Sequence, residues 1–83
     1  MEDRIRDILT RCGRLSMPTH VLKYEDNLYD AGLSSLATVN VMLAIEEEFE
    51  VEFLDHLLTR RSFESIASLA TVITSLKSGA SAI

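Results

Sequence analysis

The apolar positions of this chain fall into helical rhythms separated by one long aperiodic stretch. Near the start, Ile5, Ile8, Leu9, Cys12 and Leu15 recur at helical spacing, with Glu2 and Asp3 in the first turn, and this predicts a first helix ending near Gly13. Residues 15 to 33 hold Pro18, Asn27, Asp30 and Gly32 without a clear period. They predict a long loop, a feature that in compact domains is often functional. Val21, Leu22, Leu28 and Tyr29 are its candidate anchors to the core. From Ser35 to about Glu50 the helical period is strongest. Residues 54 to 60, LDHLLTR, read as a short third helix, and Ser62 as the N-cap of a fourth with the stripe Ile66, Leu69, Ala70, Ile73 and Leu76. The expected fold is all-α: a small four-helix bundle with a long loop between helices 1 and 2 and a short third helix. Residues 1–78 form its single domain, and 79–83 a frayed tail.

Stepping along the second helix at about 100° per residue sorts its side chains into surfaces. Val39, Met42, Ile45 and Phe49, flanked by Val41, share a broad arc that reads as core. Leu36, Asn40, Leu43 and Glu47 share a neighbouring stripe at i, i+4, i+7 and i+11. Two leucines beside Asn and Glu suit either a docking surface or a widened core stripe. Beyond them Glu46, Glu47, Glu48, Glu50, Glu52 and Asp55 follow with no basic residue between. Exposed carboxylates at a helix C-terminus cost about 0.3–1 kcal/mol each, and Glu46 and Glu50 repel at i, i+4. Acidic runs usually serve solubility. The local penalty points instead to a site for a basic partner.

At the front of this helix stands a pair of serines. Ser34 is placed to cap it, its oxygen accepting from an amide one turn in. Ser35 is then the first helical residue, with its hydroxyl facing solvent.

Composition narrows the function. With 83 residues there is room for one small core, and three Gly and one Pro suit helices. A net charge of −5 argues against a nucleic-acid binder and suits basic protein partners. Cys12 stands alone, so no internal disulfide forms and a reducing compartment fits. The N-terminus MEDRIRDILT has no signal-peptide core, and no apolar run reaches the length of a membrane span. These features lead to the expectation of a cytoplasmic monomer.

Hydrolase chemistry finds little support: Leu33, Ser34 and Ser35 follow Gly32 consecutively, which is not G-x-S-x-G, and neither His20 nor His56 is placed beside a serine. A chain this short also has little room for a cleft with an oxyanion hole. Two isolated histidines and one cysteine make no metal-ligand pattern, and no Gly-rich loop offers to bind phosphate. Arg60 and Arg61 read as balancing the end of the short third helix.

The stretch DAGLSSL, residues 30 to 36, resembles the acyl carrier protein family. There a D-S-L motif, with a glycine two places before the Asp, opens the second helix of a four-helix bundle. The similarity continues through SLATVNVMLAIEEEFEVEF and covers nearly the whole chain. It implies that Ser35, directly before Leu36, carries 4′-phosphopantetheine taken from coenzyme A by a phosphopantetheinyl transferase. It implies further that cargo is held as a thioester on the arm's thiol, and that partners recognise Leu36, Leu43, Glu46 and Glu47, with Asn40 in the same stripe. The helix start agrees physically, since its unpaired N–H groups favour an anion.

The departures from the pattern bear on partners. Ser34 stands where the family has Asp, Ala37 and Asn40 stand at two further positions often acidic, and Phe53-Leu54-Asp55 replaces a common Ile-Pro-Asp. The upper half of the recognition helix is therefore nearly uncharged, and the basic patches of the housekeeping carrier's partners should grip it more weakly. The resemblance implies a specialised carrier with a dedicated loading ligase and downstream enzymes bearing basic docking patches. AGLSS also resembles stand-alone carriers that receive amino acids from ligases similar to aminoacyl-tRNA synthetases, so cargo is either an amino acid or an unusual fatty acyl chain. The alternative to a carrier is an unmodified helical adaptor binding partners through the acidic second helix, which would have no need of Ser35.

Overall fold

Acidic residues open the first helix and basic ones follow a turn later. Arg6 pairs with Glu2 at 2.8 Å and Arg11 with Asp7 at 3.0 Å, both i, i+4. In the computed structural model, which describes residues 1–78, α1 runs Glu2–Ile8. It continues through one π turn, Leu9–Gly13, and ends as Arg14 turns left-handed at φ 50°. The end falls where Gly13 predicted it. The tail 79–83, expected to fray, lies outside the described residues.

The long loop is held by a set of hydrogen bonds, some to side chains and some to the rest of the fold. Arg6 donates to the carbonyls of Thr19 and Leu22, clamping a 3₁₀ turn, Thr19–Val21. Asn27 Oδ1 accepts the N–H groups of Tyr29 and Asp30 at 2.8 and 3.1 Å, an Asx turn. Leu28 N–H donates to Glu64 O at 2.7 Å, and Ser16 N–H to Ala31 O at 2.8 Å. Leu22 and Leu28 are buried anchors, as expected, and Tyr29 is half-buried. Val21 is not an anchor: it is 55% exposed, because the clamped turn gives the inward place to Leu22. Gly32 lies at φ +108°, where a Cβ would stand 3.0 Å from Ser16 N.

Helix α2 spans Ser35–Phe49 and buries Ala37, Val41, Ile45 and Phe49, one i, i+4 row. Val39, expected in the core, is 48% exposed instead. The small Ala37 takes the inward position, which rotates Val39 to the surface. At its far end Glu50 turns left-handed at φ 55°, and its N–H and that of Val51 both donate to Glu46 O. Lys77 Nζ donates to Phe49 O at 3.1 Å. The Arg4 guanidinium lies 4.2 Å from the Phe49 ring centroid while pairing with Glu48 at 2.8 Å.

The short third helix takes the form of two 3₁₀ turns, Asp55–Leu57 and Arg60–Phe63. Thr59 restarts the chain between them by accepting from Ser62 N–H at 3.3 Å, and Phe53 and Phe63 stack at 5.4 Å across the segment. Ser62 therefore belongs to a turn and does not cap the last helix. Ser65 does so, its Oγ accepting from Ser68 N–H at 3.0 Å. Helix α3, Ile66–Ser78, buries Ile66, Leu69, Ala70, Val72 and Ile73. Packed against both α2 and α3, α1 closes the core through Ile5 and Ile8. The fold is the expected all-α bundle, with 3₁₀ turns in place of one short helix.

Gly32→Ala tests the loop's backbone. It combines a strained φ with a backbone clash, so we expect a loss of about 1–3 kcal/mol. The measurement is a lower urea midpoint at unchanged slope.

Candidate functional site

Ser34 caps α2 as its position predicts. Its backbone is extended at φ −89°, ψ 166°, and its Oγ accepts from Ala37 N–H at 3.0 Å. Thr38 Oγ1 returns a bond to Ser34 O at 2.8 Å. Ser35 is the first residue of the helix, exposed, and its hydroxyl makes no hydrogen bond among the described residues. No acidic residue lies in the helix's first turn. One serine thus satisfies the backbone while its neighbour stays available.

Beside Ser35 lies a groove of about 400 Å³. One wall is α2, through Ser35, Thr38, Val39 and Met42, and the opposite wall is the 3₁₀ segment, through Leu58, Thr59, Arg60 and Phe63. Tyr29 also lines it. Its hydroxyl donates to Arg60 O at 2.9 Å, while the Arg60 guanidinium covers its ring at 3.8 Å. Burial pushes the Tyr29 phenol upward, and the Arg60 charge works against that shift. Arg60 does not balance a helix end, as its sequence position suggested, because it begins a turn and lies over an aromatic ring.

Further along α2, Leu36 is 75% exposed and Leu43 54%, with Asn40 and Glu47 exposed between and beyond them. These leucines are surface, so the stripe is no extension of the core. Val39 adds to the same apolar surface. Glu46 adjoins this face, three residues past Leu43. It is half-buried, and its Oε2 accepts from Phe53 N–H at 2.9 Å, bracing the chain as it leaves the helix. Glu48 is taken by Arg4, whereas Glu47 has no ion-pair partner among the described residues. Sequence reasoning missed the Tyr29–Arg60 stack and the groove itself. The two residues are thirty-one apart in the chain, and only Tyr29 had been singled out for packing.

Among the described residues no His, Cys, Asp and Glu cluster could hold a metal, and no helix is long and apolar enough to cross a membrane. His20 and His56 are both exposed and Cys12 is half-buried.

A serine with no hydrogen bond among the described residues thus heads α2, flanked by a groove and exposed leucines, in a small helical bundle. The sequence matches the family described as phosphopantetheine attachment site over residues 3–73. It is 44% identical to an aminoacyl carrier protein of Agrobacterium fabrum over 79 residues, 95% of each chain. Its fold matches a carrier protein from Agrobacterium tumefaciens with a TM-score of 0.87 and 46% identity, over 89% of this chain and 99% of that one. That carrier was crystallised with AMP and an engineered Bradyrhizobium japonicum glycine:[carrier protein] ligase. A holo acyl carrier protein from Nitrosomonas europaea matches with a TM-score of 0.81 and 30% identity, over 93% of this chain and 95% of that one.

The chain belongs to the phosphopantetheine attachment family. It is a non-catalytic carrier that holds an acyl or aminoacyl group on phosphopantetheine for partner enzymes. The residues present suit that group: an exposed hydroxyl without a hydrogen bond among the described residues, an adjoining groove and a nearby cation.

Three substitutions separate structural from presented residues. Ser34→Ala should destabilise by about 0.5–2 kcal/mol through the lost cap, and Glu46→Ala by about 1 kcal/mol or more through the lost bond to Phe53 N–H. Glu47→Ala should stay within about 0.5 kcal/mol of the parent. Urea denaturation reads all three.

Proposed function

We propose that Ser35 is the attachment point of the arm, transferred from coenzyme A by a phosphopantetheinyl transferase, and that the cargo is an amino acid placed there by a dedicated ligase. The observation that carries this reading is the 44% identity to an aminoacyl carrier protein across 95% of both chains, with Ser35 free at the head of α2. When bound, the arm supplies the terminal thiol on which the cargo is held as a thioester.

The chain's own contribution is position. Ser34 holds the first turn of α2 closed, which fixes the direction in which Ser35 leaves the surface. Leu36 and Leu43 are apolar anchors for the ligase, with Asn40 between them, and Glu47 meets a basic patch. Glu46 contributes by bracing the end of that face. We assign residues 1–78 as one carrier domain that acts as a monomer in the cytoplasm, consistent with the −5 charge and the lone cysteine. Downstream enzymes would read the same face.

Intact mass after incubation with coenzyme A and a promiscuous transferase tests the attachment. The parent and Ser34→Ala should each gain one phosphopantetheine, and Ser35→Ala none. Modification that persists in Ser35→Ala overturns the assignment. Incubating the holo protein with ATP and a glycine:[carrier protein] ligase should then add a residue mass, and Glu47→Lys should slow that addition without loss of stability. Loading should leave the melting temperature almost unchanged, whereas a sequestered acyl chain would raise it.

A further inference from the structure

Arg60 is a cation that the carrier reading leaves without a task. Three arginines of the first helical segment pair with carboxylates: Arg4 with Glu48, Arg6 with Glu2 and Arg11 with Asp7. Arg60 pairs with none among the described residues. It is nevertheless fixed in place, its guanidinium 3.8 Å from the Tyr29 ring centroid and its carbonyl accepting the Tyr29 hydroxyl at 2.9 Å. A guanidinium stacked on an aromatic face keeps its donor edge free for an oxyanion. It lines the same groove as Ser35, and no acidic residue lies in the first turn of α2.

We propose that Arg60 is the phosphodiester partner of the arm carried on Ser35, and that the groove between α2 and the Arg60–Phe63 turn takes the pantetheine chain that follows. The inference rests on Ser35 being the attachment point. Charge complementarity selects the occupant: the phosphodiester is anionic and tethered at the groove's own wall, so pairing with Arg60 requires no partner from solution. A volume of about 400 Å³ lies within the ~300–1,000 Å³ of small-molecule sites. Val39, Met42 and Leu58 suit the methylenes of the arm. Arg60 is thus a positioning residue. It fixes the start of the arm beside Ser35.

The test compares apo and holo forms of the parent, Arg60→Gln and Arg60→Lys, with conversion confirmed by intact mass. Amide spectra should show shifts on conversion at Thr38, Val39 and Thr59 in the parent, beyond the neighbours of Ser35. Arg60→Gln should lose most of the Thr59 shift, move the phosphorus-31 resonance and increase arm mobility by relaxation, and Arg60→Lys should restore much of all three. Apo spectra of both variants that match the parent away from residues 29 and 60 establish that the fold is kept. Shifts confined to the neighbours of Ser35 in the parent, or a Thr59 shift unaffected by Arg60→Gln, overturn the inference while leaving Ser35 as the attachment point. A parent chain that gains no arm removes the carrier assignment of Ser35 itself, and with it this proposal.

Discussion

The rotational phase of α2 is the constraint from which the functional surface follows. Ala37, Val41, Ile45 and Phe49 form one buried row against α1 and the rest of the core. Turning the helix by a single residue's step of about 100° would drive Leu36 and Asn40 inward and leave Val41 in water. Each of the larger side chains in the row represents about 1.5–3 kcal/mol of burial, so the phase is strongly determined. Once it is set, Ser35, Leu36, Val39 and Leu43 must face outward together. The apolar surface beside the serine is therefore the remainder of the helix after its core demand is met.

The ends of α2 are satisfied by different means. At the start the solution is local, one serine bonding an amide three residues on. At the finish it is tertiary. Arg4 reaches the Glu48 carbonyl and Lys77 the Phe49 carbonyl, so cations from the first and last helices meet the negative pole of the second. The acidic run looked costly in sequence because those cations lie more than twenty-five residues away along the chain. Two of its members are also occupied, Glu46 by Phe53 N–H and Glu48 by Arg4. Charge available to a partner is thus concentrated at fewer positions than the composition suggests, with Glu47 beside the exposed Leu43.

Division of labour between neighbours recurs in this molecule. Ser34 is consumed by the backbone and Ser35 is released; Leu22 is buried and Val21 exposed; Glu46 is bonded inward and Glu47 faces out. In a helix, adjacent side chains diverge by roughly a quarter turn or more, which lets one residue maintain the fold while the next is presented. A carrier needs this arrangement because it must offer one nucleophile and one recognition face without loosening a small core.

The start of α2, its period, the cap at Ser34 and the exposure of Ser35 were legible in the sequence because each depends on residues within about one turn of one another. The end of the first helical segment near Gly13 was legible for the same reason. The inward place of Ala37 over Val39 was not, since hydrophobicity alone ranks Val above Ala and only the fit against the packed core reverses them. Nor were the 3₁₀ turns in place of a third helix, the bracing role of Glu46, or the stacking of Arg60 on Tyr29. Those depend on long-range closure: Phe53 against Phe63, and Tyr29 against a residue thirty-one positions later. By itself the sequence determined which serine caps and which is offered, because capping is a short-range bond. Only the tertiary structure decided what stands opposite the offered serine, because the groove's second wall is brought there by packing the loop and the 3₁₀ turn against the core.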